Sequence, residues 1–154
     1  MNKLTTAIVI ALLVVVVPCA AKIPVFSLKE LVHRADVICI ARVKRIETLP
    51  DQYGNATIIK NYLTTHKILK GHADNEILIV TKKRHREDNL VIPTRGEMVL
   101  FLTREKDGTY RTVNSLQGLW PLADGIPQRM GLGMSIQQIV DEVKRQMEEP
   151  GEQQ

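Results

Sequence analysis

Four histidines are the residues of this chain whose type could support metal binding or acid–base catalysis: His33, His66, His72 and His85. Zinc sites combine histidine, cysteine and carboxylate ligands at short, recurring spacings. Five residues separate His66 from His72, and no cysteine or carboxylate joins them at a ligand-like interval. We therefore interpret the four histidines as surface or helix-capping residues and keep a metal site as the less favoured alternative.

Motifs for covalent or cofactor-dependent catalysis are the next candidates. The sequence lacks a Gly-x-Ser-x-Gly nucleophile motif and a pair of carboxylates at a catalytic spacing. The segment Gly131-Leu132-Gly133 is too short for a dinucleotide-binding loop, and no predicted strand precedes it. The sequence predicts a protein that is not an enzyme, with no catalytic residues and no cofactor.

The densest positive charge lies in five consecutive residues, Lys82, Lys83, Arg84, His85 and Arg86. One hypothesis is a partner-binding basic loop for an anionic macromolecule, such as phospholipid headgroups, lipopolysaccharide or an acidic protein. The favoured interpretation is a solvated loop between two strands, which the following Glu87 and Asp88 partly neutralise. We do not expect a nucleic-acid partner, because base stacking needs aromatic side chains and these are only 4% of the chain.

The first 21 residues predict where the protein works. Lys3 gives a positive start, Ala7 to Val17 is an unbroken apolar run, and Ala20-Ala21 supplies the small residues of a cleavage site. This layout is typical of a secretory signal peptide. The apolar run is shorter than the roughly 20 residues that a membrane-spanning helix needs. We expect cleavage after about Ala21 and export to the periplasm or the extracellular medium.

The two cysteines have different expected fates. Cys19 leaves with the leader, unless it is the lipid-carrying first residue of a bacterial lipoprotein, for which Pro18 is a poor neighbour. In that alternative the protein is anchored to a membrane. Cys39 lies in the apolar run Val37 to Ala41, which predicts a buried side chain. A single remaining cysteine allows no internal disulfide, so burial must stabilise the domain.

Two predicted loops carry further surface features. Asn55-Ala56-Thr57 is a glycosylation sequon, so Asn55 would be modified if the source is eukaryotic. Gly125 to Gly133 is a glycine-rich segment that could contact a partner. Trp120, which comes shortly before it, is interpreted as a plug of the barrel described next.

The hydrophobic pattern predicts a helix, five strands and a second helix. Ser27 and Glu30 form a capping-box pattern that opens the first helix, and Ser135 and Gln138 open the last one. The first predicted strand begins at Val37. The other four cover Thr57–Leu69, Glu76–Thr81, Met98–Thr103 and Thr109–Asn114. Closing five strands removes exposed sheet edges.

The predicted fold class is mainly β, a five-stranded OB-fold-like barrel with a short N-terminal helix and a C-terminal helix. We expect the barrel to occupy residues 22–134 and the last helix to occupy residues 135–149. A disordered tail is expected at residues 150–154.

The net charge of +4 is too small to require a polyanionic partner.

Several short motifs follow one another along Ser27 to Leu122: Ala35-Asp36-Val37-Ile38, Ala41-Arg42-Val43, Tyr53-Gly54-Asn55, Tyr62, Ile68-Leu69-Lys70-Gly71, Gly96-Glu97-Met98-Val99-Leu100, Asp107-Gly108-Thr109-Tyr110 and Trp120. In this order they resemble the netrin-like module of the tissue inhibitors of metalloproteinases. The chain is also similar to small exported bacterial proteins with the same Ala-Asp-Val and Lys-Gly landmarks. The resemblance implies the barrel fold.

The resemblance does not extend to the inhibitory chemistry of that family, whose mature chain starts with a zinc-chelating cysteine. Here the expected first residue is Lys22. Fold similarity by itself does not confer function. The leading hypothesis is an exported, non-enzymatic module that binds an unknown protein or anionic macromolecule outside the cytoplasm. The alternatives are an extracellular protease inhibitor that acts without that cysteine, and a lipid-anchored envelope protein modified at Cys19.

Overall fold

The computed structural model describes residues 24–54, 56–84 and 90–148. The expected leader, Cys19, Asn55, the pair His85 and Arg86, and the tail 150–154 lie outside these residues. The helices are α1 (Leu28–Arg34) and α2 (Ile136–Glu148). The strands are β1 (Val37–Pro50), β2 (Ala56–Lys70), β3 (Glu76–Arg84), β4 (Met98–Arg104), β5 (Tyr110–Thr112), β6 (Leu119–Ala123) and β7 (Ile126–Pro127).

Five of these strands close into a barrel. The order is β1-β2-β3-β5-β4, and β4 pairs back onto β1. All neighbours are antiparallel except β3 and β5, which meet in parallel at Ile79 and Tyr110. The predicted fold class is confirmed: a mainly β, five-stranded OB-fold-like barrel with a helix before it and a helix after it. Strands β6 and β7 extend the sheet beyond β4.

Two apolar layers pack against the strands, one inside the barrel and one between the barrel and the helices. Alternate residues of β1 and β4, such as Cys39 and Leu100, fill the barrel interior, while Ile38 and Phe101 face a second layer beneath the helices. Successive side chains of a strand point to opposite faces, so strands covered on both faces read as continuous apolar runs. The start of β1 is such a run, and it is buried on both sides.

Cys39 is a core side chain of the barrel interior. It is fully buried, and this burial raises the pKa of its thiol to about 12. A thiol that stays protonated at physiological pH is a poor nucleophile. The expectation of a buried structural cysteine is confirmed.

Trp120 is buried as expected but lies elsewhere than expected. It belongs to the layer between the barrel and the helices, whereas its neighbour Leu119 points into the interior. Its ring lies 4.7 Å from that of Phe101, and its Nε1 donates to the Gln117 carbonyl at 2.7 Å. The plug interpretation is therefore wrong in position, because Trp120 is on β6 and strand alternation turns its side chain outwards.

The landmark motifs of the resemblance meet at one structural junction. The Lys70 ammonium donates to the carbonyls of Val32 and Ala35 at 2.6 and 2.7 Å, so it caps the end of α1. Gly71 has φ +72°, and a Cβ there would lie 2.1 Å from the Asp36 carbonyl oxygen. The Lys-Gly and Ala-Asp pairs are thus explained by helix capping and close backbone approach.

Both predicted capping boxes are present. Ser27 and Glu30 exchange hydrogen bonds at the start of α1. Gln138 N–H donates to Ser135 Oγ at 3.1 Å, and Gln138 Oε1 accepts from Ser135 N–H at 2.7 Å. Each cap satisfies amide groups that the first turn of a helix leaves unpaired.

Candidate functional site

The sheet continues past the barrel as a three-stranded arm, which we define as residues 44–50 of β1, 56–62 of β2 and 80–84 of β3. β1 pairs with β4 only from Val37 to Ala41, but it pairs with β2 as far as Pro50. β3 pairs with β5 only at Ile79, but it follows β2 to Arg84. Among the described residues, the outer strands of the arm therefore have no further sheet partner.

One face of the arm and the adjoining strand residues, here the outer face, follows from the register. Residues directly opposite one another on paired strands share a face. The outer face consists of three cross-strand rows: Leu49, Ile58 and Lys82; Glu47, Lys60 and Val80; and Arg45, Tyr62 and Leu78. The opposite face carries the buried Asn61 and Ile79.

The outer face mixes apolar and charged side chains, and Lys60 lies at its centre between Glu47 and Val80. Leu49 and Val80 are 43% and 39% exposed, and Ile58, which is opposite Leu49 and diagonal to Val80, is half-buried. Lys82 is exposed and Lys60 is half-buried. An exposed face that combines apolar and charged side chains is suited to binding a protein.

An aromatic and an arginine are held rigidly at the base of this face. The Arg45 guanidinium lies 3.8 Å from the centre of the Tyr62 ring. The Tyr62 hydroxyl donates to Glu47 at 3.1 Å, and Arg45 forms an ion pair with the same carboxylate. The stacking fixes both side chains before any partner arrives, which lowers the entropy that binding would cost.

The structure divides the predicted basic loop. Lys82, Lys83 and Arg84 belong to β3, so the prediction that these residues lie in a loop is wrong. Lys82 is opposite Ile58 and Lys83 is opposite Thr57, which puts the two lysines on different faces. The sequence pattern failed here because an arm strand needs no continuous apolar run. The rest of the run, His85 and Arg86, lies outside the described residues.

The acidic neighbour of Lys82 limits its free charge. Lys82 Nζ lies 3.6 Å from Asp51 Oδ2, and the Asp51 side chain is almost fully buried. The described residues of β3 therefore do not form a compact cationic patch. The charge instead spreads across the arm, with Lys60 and Arg45 on neighbouring strands.

The three histidines that the structure describes are dispersed. His66 pairs with Glu97, His33 lies in the last turn of α1, and the His72 carbonyl accepts from Arg104. Within residues 24–54, 56–84 and 90–148, no group of three or more histidine, cysteine or acidic side chains is placed to hold a metal ion. His66 is thus explained by a hydrogen bond with Glu97 on the surface.

The glycine-rich segment from Gly125 to Gly133 is held against the body of the protein. It contains β7 and a 3-10 turn, and a Cβ at Gly131 would lie 2.6 Å from the Trp120 ring. Leu132 and Ile126 stay largely exposed. The segment thus presents an exposed apolar surface that is separate from the arm.

The outer face was missed at the sequence level. The alternation of Ile58, Lys60 and Tyr62 along β2 was the available signal, but the register that places Leu49 and Val80 beside them was not deducible.

Among the residues that the structure describes, none of the helices has the length and apolar character needed to cross a membrane. No family model, curated protein or solved structure matches this chain.

Proposed function

We propose that this protein is an exported, non-enzymatic binding module whose arm contacts an acidic protein outside the cytoplasm. The observation that carries the proposal is the outer face, where Leu49 is opposite Ile58 and Val80 is the diagonal neighbour of Ile58 on the next strand. These side chains contribute little to the barrel core, so their exposure needs another reason. Burial under a partner supplies it.

Charge on the arm favours an acidic partner. The outer face carries the cations Arg45, Lys60 and Lys82. Glu47 pairs with Arg45 and Asp51 lies 3.6 Å from Lys82, which leaves an excess of one positive charge at Lys60. Positive groups at the margin of an interface mainly steer association and select partners of opposite charge. A protein surface fits better than a nucleic acid, because the Tyr62 ring is already covered by Arg45 and is not open for base stacking.

Rigid aromatic and arginine side chains support a protein partner further. Tyrosine and arginine are enriched among the residues that dominate binding energy at protein interfaces. Tyr62 and Arg45 are already ordered by their contacts with Glu47. The proposal of export rests on the leader-like first 21 residues.

A pair of double variants tests this function in cells that naturally produce the protein. The arm variant, Leu49→Thr with Val80→Thr, keeps residues that suit a strand and removes apolar contact area. The expected loss of about 2 kcal/mol corresponds to a roughly 30-fold weaker complex. The control variant, Ile126→Thr with Leu132→Thr, removes exposed apolar groups from the other candidate surface.

The measurement is size-exclusion chromatography of the exported fraction, with the mass of the eluted chain. Wild type and the control variant are expected to elute in a complex, and the arm variant as the free chain. A chain that lacks about 21 N-terminal residues is expected in every case. Free wild-type protein, release of only the control variant, or a cytoplasmic chain with its leader attached would contradict the proposal.

A further inference from the structure

A cleft of about 630 Å³ opens between α1, β4 and β5, and no residue of the arm lines it. It lies where the last turn of α1 faces the turn that follows β5. The lining residues are Phe26, His33, Arg34, Thr103, Arg111, Thr112, Val113, Asn114 and Ser115. Its volume is in the range of sites that hold small organic ligands.

Two guanidinium groups give the cleft its charge. Arg34 comes from α1 and lies 4.4 Å from the centre of the Phe26 ring, which orients it. Arg34 makes no ion pair with another described residue. Arg111 of β5 pairs through Nε with Glu105 at 3.0 Å. The Ser27 hydrogen bonds and, to a smaller extent, the charge of Arg34 lower the pKa of the Glu30 carboxyl. Arg34 is nevertheless the guanidinium of the cleft that has no close ion pair with a described residue, so it is the group best placed to meet a ligand anion.

A strained turn forms one wall. Asn114 and Ser115 both have positive φ, 49° and 56°, which is uncommon for residues other than glycine. Asn114 Nδ2 donates to the Pro24 carbonyl at 2.7 Å and to Gln117 Oε1 at 3.0 Å. Phe26 N–H donates to the same Gln117 oxygen. Strained backbone held by several contacts is characteristic of preformed binding sites.

We propose that this cleft binds a small organic monocarboxylate. Arg34 and Arg111 hold the carboxylate, because a guanidinium presents paired N–H donors that match its two oxygens. Phe26 and Val113 contact the apolar body of the ligand. The cleft shares no lining residue with the arm. A failure of this proposal therefore leaves the proposed binding function of the arm unaffected, and the reverse also holds.

The test is a titration of the full chain with benzoate, followed by the amide signals in two-dimensional NMR. We expect saturable binding with a dissociation constant below about 10 mM and shifts centred on residues 113–115. Benzamide has the same shape without the charge, and inorganic phosphate has charge without the apolar body. Both are expected to bind at least tenfold more weakly than benzoate.

Single substitutions assign the roles. Arg34→Met and Arg111→Met are each expected to weaken benzoate binding about tenfold or more. Lys106→Met removes an exposed cation that does not line the cleft, so it serves as the matched control. Glu105→Gln removes the carboxylate that competes for Arg111, and we expect tighter binding.

Three outcomes would overturn the proposal. The first is the absence of saturable binding, and the second is phosphate binding as tight as that of benzoate. The third is benzoate affinity that changes as much in the Lys106→Met protein as in both arginine variants. Thermal melting of each variant separates lost binding from lost folding. Should Arg34→Met unfold the protein, Arg34→Lys keeps the charge and loses the paired donors, and it gives the same contrast.

Discussion

Trp120→Ala is expected to lower the free energy of unfolding by about 3–5 kcal/mol. The side chain is 2% exposed, contacts Phe101, and fills the layer between the barrel and the helices. Truncation removes this burial and leaves a cavity that rigid strands cannot close. Gly131 approaches the ring so closely that the loss also frees the segment that follows β7.

Urea unfolding followed by circular dichroism measures this effect, because the chain has only one tryptophan and the variant loses the fluorescent reporter. Trp120→Phe is the informative milder change, since it keeps the ring contact and loses the hydrogen bond to Gln117, at about 1 kcal/mol. Tyr53→Ala is the control, because that ring is largely exposed. Loss of less than about 1 kcal/mol for Trp120→Ala would contradict the assigned packing.

Gly71→Ala is expected to destabilise the protein by about 3 kcal/mol or more. The backbone at this position has positive φ, and the new Cβ would lie 2.1 Å from the Asp36 oxygen. Asp36 cannot move away, because its N–H donates to the Leu102 carbonyl and its carboxylate accepts from Arg104 N–H. Any adjustment must therefore distort the junction of α1 with β1.

Gly108→Ala is the matched control for Gly71→Ala. Gly108 also has positive φ, but a Cβ there meets nothing within 4 Å. We expect a cost of about 1 kcal/mol from the backbone conformation alone. Equal melting temperatures for the two alanine variants would show that the close approach to Asp36 does not constrain the junction.

Local rules predicted most of the barrel. The capping box at Ser27 and Glu30 requires only residues three positions apart, and the apolar runs of β1 and β4 report burial on both faces. The predicted strand Thr57–Leu69 matches β2, which ends at Lys70, to within one residue at each end. These features depend on short stretches of chain, so the sequence alone determines them.

Features that depend on distant partners were not predictable. The end of β3 is charged, yet it stays a strand because β2 supplies its backbone hydrogen bonds. β5 ends at Thr112 rather than Asn114, because Asn114 turns into the left-handed region and hydrogen-bonds Pro24. The outer face and the cleft both combine residues far apart in sequence, so no local pattern could reveal them.

We propose above that the outer face of the arm binds an acidic protein. A photoreactive amino acid placed at Val80, or at Leu132 as a control, would form covalent adducts in producing cells that can be counted. We expect adducts from position 80 that fall when Lys60→Gln and Lys82→Gln are added, because fewer positive groups attract the partner. Equal adduct yields from positions 80 and 132, or yields unaffected by the lysine substitutions, would contradict it.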